Sequence, residues 1–435
     1  MKVALFGTYQ NSYDFKNAEA RLVKEFNEEN SGFGWLKLPF EPLENFQQFV
    51  NELNGGPLGA AAPVLVVGIG GSALGLQTLL AALASPSHQR RFFVADNLDL
   101  ASNEDILGQL PQDRRGMALV VVSKSGRTLE TLSNFTFFVN QLGAKASWTE
   151  ENCPRVFAVT DPEQGALRAL VERQGVNALD LPPTVGGRFS VLSSAALPLA
   201  MAAGVDGLSL LRGAQRMAQD LLRGGEMAHA ARQIGTAVLE GLDQGRNITV
   251  FMPYGKRLGT LGPWFCQLWG ESLGKEGWGP TPQMAVGTID QHSQLQLYAQ
   301  GPDDKVYLFV TAQGDQEPTI KADQTWDLGL GYLEGMTLSQ IQEAEFNGVL
   351  ASLRKVGRPV VHLQLDGLSA EDYGEILFFL EWLTALVGLA AGVNPFDQPG
   401  VEQGKNYALA LCGDEKWKAF APEVRQLITP DWESK

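Results

Sequence analysis

The run Val64–Ile69, Val-Leu-Val-Val-Gly-Ile, constrains this chain more than any other stretch. A compact apolar, β-branched run of this length reads as a strand buried on both faces. It ends in glycines, and Ala73–Leu83 then has the pattern of a helix. The pairing recurs. Arg91–Ala95, Ala118–Val122 and Arg155–Val159 read as buried strands, with a helix over Leu129–Leu142. Repeated strand–helix–strand units imply a parallel sheet with helices on both faces. After the Gly- and Pro-rich passage Leu181–Arg188 the pattern restarts with strands at Asn247–Met252, Val306–Thr311 and Pro359–Leu365. Helices are expected near Arg257–Leu273, Leu338–Lys355 and Ala370–Gly392. The expectation is therefore two doubly wound α/β domains of one kind, over 59–203 and 204–392. A mainly helical segment, 1–58, precedes them, and a segment over 393–435 packs back.

Composition narrows the partners. Of 435 residues, 34 are Lys or Arg and 49 Asp or Glu, a net charge of −15. Nothing offers the broad basic field a nucleic acid requires. Three scattered cysteines, Cys153, Cys266 and Cys412, form no disulfide framework and match no zinc spacing, which suits a reducing cytoplasm. The first residues, Met-Lys-Val-Ala-Leu-Phe-Gly, lack the length of a signal peptide's apolar run. Ala60–Ala84 is cut by glycines, and Leu377–Val393 carries Glu381 and is short for a span, so a strand–helix pair and a core helix are expected, without a membrane.

Six short motifs bear chemistry. Gly68-Ile69-Gly70-Gly71-Ser72-Ala73-Leu74-Gly75 lies between strand and helix, where glycines let backbone N–H groups approach an anion. Gly68-x-Gly70-x-x-Ala73 with Asp96 also approximates a dinucleotide fingerprint. Ser123-Lys124-Ser125-Gly126-Arg127-Thr128 gathers three hydroxyls and a lysine, a donor set suited to a phosphate monoester, without the spacing of a nucleotide P-loop. Gly186-Gly187-Arg188-Phe189-Ser190 presents an arginine on a tight turn. In Gln267–Lys275, Glu271 edges an apolar helical stretch, which would raise its pKa and suit it as a base, although an i, i+4 pair with Lys275 is the stronger reading of the residues alone. His292, in Gly287–Ser293, is the histidine best placed for acid–base work among His88, His229, His292 and His362. Asn394–Lys405 is an irregular loop leading into a helix that carries Lys405.

These motifs, GIGGSALG, SKSGRTLET, GGRFS, GESLGK, GTIDQHS and FDQPGVEQGK, occur in an order that resembles the phosphoglucose (glucose-6-phosphate) isomerase family in its shorter bacterial form. The resemblance runs from about residue 64 to 407. It implies a pair of sugar-isomerase (SIS-type) domains and reversible interconversion of glucose 6-phosphate and fructose 6-phosphate through ring opening and a cis-enediolate. It also implies no metal or nicotinamide cofactor. By the same resemblance Gly71, Ser72, Ser123, Lys124, Ser125 and Thr128 bind phosphate, Arg188 steadies the enediolate oxygen, and Glu271 shuttles the proton with Gln267 beside it. His292 and Lys405 open the ring, with Gln398 nearby. The family's active unit is a homodimer in which the histidine comes from the neighbouring subunit. Ser125 and Gly126 replace a Thr-Phe of many longer relatives, and Pro183 stands where a small polar or acidic residue is common.

The chemistry asks for such groups independently. Moving a carbonyl from C1 to C2 requires removal of a weakly acidic proton, and a positioned carboxylate accelerates this by about 10²–10⁴-fold. An arginine acts where the oxyanion develops, and a remote phosphate orients the reacting carbons. Two alternatives carry different expectations: a nicotinamide-dependent oxidoreductase would bind NADH, and a non-catalytic phosphosugar sensor would bind without turnover.

Overall fold

The computed structural model describes the chain except residues 8, 10–12, 29–32, 56–58, 90, 113, 115, 143–153, 315–316, 322–328 and 431–435. Cys153 falls outside the described residues. The chain forms two compact units, Met1–Pro395 and Phe396–Lys435. The first contains ten strands: β1 (Lys2–Phe6), β2 (Val64–Val67), β3 (Phe92–Ala95), β4 (Ala118–Ser123), β5 (Arg155–Thr160), β6 (Asn177–Asp180), β7 (Ile248–Pro253), β8 (Thr281–Met284), β9 (Lys305–Ala312) and β10 (Val360–Leu365).

They make two five-stranded sheets, ordered β3-β2-β4-β5-β6 and β8-β7-β9-β10-β1. Every pairing is parallel except β1 with β10. The fold is α/β, as the strand–helix alternation implies. Every residue of β2 and β4 is buried, which is why both read as uninterrupted apolar runs. The edge strands are different. β6 reads Asn-Ala-Leu-Asp and β8 reads Thr-Pro-Gln-Met, and both are half exposed, so neither carries a strand signal in sequence. Pro282 is tolerated because β8 lies at an edge. The N-terminal segment also departs from a purely helical reading: besides the helices Phe15–Phe26 and Glu44–Asn54, its first residues add β1 to the second sheet. The stretch expected as one helix over Arg257–Leu273 is two, Lys256–Gly259 and Leu261–Leu273. Pro263 sits in the first turn of the second, where its missing N–H leaves no helical bond unmade.

The helix Ala370–Ala390 passes by length and composition as a membrane span, yet 83% of its apolar window is buried inside the protein. It is a core helix, as Leu377–Val393 implied. Burial among apolar neighbours pushes the pKa of the Glu381 carboxyl well above the usual range. This helix crosses Gly207–Leu222 so closely that a Cβ on Gly374 would stand 1.9 Å from the Leu210 carbonyl oxygen, and one on Gly213 would stand 1.9 Å from that of Glu371. Backbone cannot yield there as a side chain would. Gly374→Ala should therefore destabilise the fold by about 1–3 kcal/mol or more, read as a lowered midpoint in urea. An unchanged midpoint would mean that the helices separate freely.

The described part of the second unit contains 3-10 turns at Pro399–Val401 and Lys418–Phe420 and the helices Glu402–Leu411 and Ala421–Leu427.

Candidate active site

The site grows from loops at the carboxyl ends of β2 and β4, the adjacent parallel strands where the chain reverses its direction of winding. After β2 the chain makes the short 3-10 turn Gly70–Ser72 and enters the helix Leu74–Leu83. Gly71 is packed against the turn Gly187–Phe189: a Cβ at residue 71 would lie 2.2 Å from the Gly187 carbonyl oxygen. Ser190 Oγ bridges the two turns, donating toward the carbonyls of Gly71 (3.1 Å) and Gly187 (2.6 Å). The glycines of the first motif thus bring the Arg188 turn against the first sheet.

After β4 the hydroxyls converge. Ser123 Oγ lies 3.2 Å and Ser125 Oγ 3.4 Å from Thr128 Oγ1, immediately before the helix Leu129–Gln141. Hydroxyls gathered at a helix start are of the chemical kind that can hold an anion. Lys124 takes a place the sequence did not suggest. Its ammonium donates to the carbonyl oxygens of Pro183 and Val185, both at 2.7 Å, and burial lowers its pKa while Asp161 opposes the shift. It ties down the segment before Gly186-Gly187-Arg188, and so holds the arginine's turn to the loop that follows β4.

Arg188 is 3% exposed. Its Nε donates to Ser272 Oγ at 2.7 Å, one terminal nitrogen pairs with Glu271 Oε2 at 3.3 Å, and the other donates to the Pro395 carbonyl at 2.5 Å. Glu271 projects from the helix Leu261–Leu273, whose other face buries Trp264, Phe265, Leu268 and Trp269. Phe265 stacks on Phe251 of β7 at 4.2 Å between ring centroids, which locks that helix to the second sheet. Residues four apart share a helix face, so Gln267 stands beside Glu271, and its amide donates to Oε1 at 3.1 Å. Among the described residues Gln267 Oε1 is buried without a hydrogen-bond partner. The expected pair between Glu271 and Lys275 gives way to a pair with Arg188; Lys275 donates instead to the Asn394 carbonyl. Ser272 and Ser190 escaped the sequence reading, because nothing local marks a serine as a partner of residues about 80 or 120 positions away.

His292 closes the short turn Ile289–His292 and is exposed, with no hydrogen bond to Arg188, Glu271 or Gln267 among the described residues. Neighbours fix its turn. Asp290 accepts from the Val286 N–H at 2.7 Å and from Ser293 Oγ at 2.7 Å, and Gln291 donates to the Tyr254 hydroxyl at 2.9 Å. In the second unit Gln398 precedes the turn Pro399–Val401, and Lys405 is 54% exposed and pairs with Glu402 at 3.0 Å. Asp96, the acid of the dinucleotide alternative, accepts a hydrogen bond from Gln77 at 2.8 Å.

Solved structures share this architecture. A glucose-6-phosphate isomerase from Chlamydia trachomatis superposes with a TM-score of 0.75 at 23% identity, covering 95% of this chain and 88% of that one. A tagatose-6-phosphate ketose/aldose isomerase from Escherichia coli does so with a TM-score of 0.52 at 12% identity, over 89% and 97%. The likeness to these structures is one of fold: two largely parallel sheets flanked by helices, here with a cluster of hydroxyls after β4 and a carboxylate–arginine pair. The family model for phosphoglucose isomerase matches residues 41–419, and the chain belongs to that family. A glucose-6-phosphate isomerase of Rubrobacter xylanophilus is 42% identical over 363 residues, 81% of this chain and 83% of the relative. One of Carboxydothermus hydrogenoformans is 33% identical over 432 residues, 95% and 92% of the two chains. These comparisons lend no support to an oxidoreductase or to a non-catalytic sensor.

Proposed function

We infer that this chain interconverts glucose 6-phosphate and fructose 6-phosphate. The observation that carries the mechanism is the Gln267–Glu271–Arg188 cluster, a carboxylate held between an amide and a buried guanidinium. The substrate phosphate is bound by the hydroxyls of Ser123, Ser125 and Thr128, with Ser72 and the backbone at Gly71 completing the cradle. Lys124 supports this cradle through the Pro183–Val185 segment. His292 and Lys405, with Gln398, open the ring by moving a proton between the ring oxygen and the C1 hydroxyl. Glu271 then takes the C2 proton and the C1 carbonyl oxygen becomes the enediolate oxygen facing Arg188; a proton passes from the C2 hydroxyl to the C1 oxygen, and Glu271 returns its proton to C1 as the carbonyl forms at C2. Electrons move only within the sugar, so the reaction balances without an external acceptor. The free acceptor on Gln267 suits a substrate hydroxyl.

A coupled assay on the purified chain, started with fructose 6-phosphate, tests this reading, and absence of glucose 6-phosphate would end it. Thr128→Val should raise KM by about fivefold to tenfold through loss of one hydrogen bond to phosphate, with kcat less affected. A kcat effect alone would move Thr128 away from the phosphate.

The exposure of His292 supports a homodimer in which each histidine completes the neighbouring site. Mixing Glu271→Gln with His292→Ala chains then rebuilds one native site per hybrid dimer. About one quarter of wild-type activity is expected, since about half of randomly mixed dimers are hybrids. No recovery would place the histidine in the same chain as the glutamate it serves. The sequence features suit a cytoplasmic setting.

A further inference from the structure

Four strands of the second sheet, β8-β7-β9-β10, repeat the order β3-β2-β4-β5 of the first, with β7 and β9 in the places of β2 and β4. The rule that puts the phosphate loops at the ends of β2 and β4 puts a second crevice at the ends of β7 and β9. A cavity of about 890 Å³ lies there, bounded by Tyr254 after β7, Thr311–Gly314 at the end of β9, Gln364 of β10 and the helix Leu338–Lys355. That volume lies within the usual range for small-molecule pockets, about 300–1,000 Å³.

Its chemistry differs from the first crevice. Where the first has a hydroxyl loop before a helix start, the second has Glu317. This carboxylate accepts from the Ser339 N–H at 3.0 Å and from the Ser339 hydroxyl, so the start of the helix Leu338–Lys355 already holds an internal anion. Among the described residues that line the cavity there is no lysine or arginine. Gln313, Asn347, Gln364 and Thr311 line it instead, with Glu343 as a further carboxylate. His362 adds no charge at neutral pH: its Nε2 lies 2.8 Å from Thr311 Oγ1, and burial pushes its pKa down to about 4.

We propose that this crevice is a second small-molecule site, selective for an uncharged polyhydroxylated compound, a sugar or polyol without phosphate. Amides and a hydroxyl provide both donors and acceptors for such a ligand, and the Glu317 carboxylate turns phosphate esters away. The proposal stands independently of the isomerase reaction, since none of these residues belongs to the first crevice.

The test is titration of the full-length chain with glucitol, an uncharged hexitol, by ligand-observed NMR, in inorganic phosphate sufficient to fill the first crevice. Saturable binding is expected, insensitive to phosphate. Asn347→Trp fills the cavity from an exposed helix position, and Gln364→Leu removes an amide without adding bulk. Each should weaken glucitol by about tenfold or more, as loss of cavity space or of a hydrogen bond implies, with the isomerase rate unchanged. Absence of saturable binding, displacement by phosphate, or full binding in both folded variants would overturn the proposal.

Discussion

Glu271→Gln is expected to lower kcat for fructose 6-phosphate by about 10²–10⁴-fold, the worth of a positioned general base, while KM changes little. The amide keeps the shape of the side chain: its oxygen can still accept from Arg188, and its NH2 can donate to Gln267 once that amide turns over, so the cluster of contacts need not collapse. What it loses is the ability to carry a proton between C2 and C1. Steady-state kinetics separates the two quantities, since the hydroxyl loop proposed to hold the phosphate lies on the first sheet, apart from Glu271. Turnover at the wild-type rate would remove Glu271 from the chemistry.

Arg188→Ala should have a double effect. The guanidinium is 3% exposed and bonded to Ser272, Glu271 and the Pro395 carbonyl, so truncation leaves buried acceptors unpaired. Removing one partner of a buried pair costs about 3–5 kcal/mol, and loss of a donor aimed at a developing oxyanion costs about 10²–10³ in rate. Thermal unfolding and kcat should therefore both fall. Arg188→Lys separates them: it keeps a positive charge but not the planar fork that reaches three partners, so it should recover stability more than rate. If Arg188→Lys matched the wild type in both, point charge would be all the site requires.

Much of the fold was legible along the chain. β2, β4, β5, β7, β9 and β10 fall within about a residue or two of the apolar runs, because a strand covered on both faces must be apolar throughout. The helix Leu338–Lys355 has the bounds its pattern implies. Edge strands β6 and β8 were not legible, since backbone pairing with one neighbour places little demand on side chains that stay half exposed. The antiparallel β1 was hidden for a related reason: its partner, β10, is more than 350 residues away.

The site shows the same division. The residue types were visible as motifs, hydroxyls before one helix, an arginine on a double-glycine turn and a glutamate on an apolar helix. Their partners were not. For Glu271 the local pattern favours Lys275, yet the folded chain gives it to Arg188, and it sets Lys124 against the carbonyls of Pro183 and Val185, which no local pattern shows. Sequence by itself determined the alternation of strands and helices, the chemical groups and the loops that carry them, because burial and backbone geometry act through neighbouring residues. Only the tertiary structure decided which charge meets which, and that the second sheet has a crevice of its own, because a hydrogen bond depends on distances of about 3 Å between groups that the chain separates by dozens to hundreds of residues.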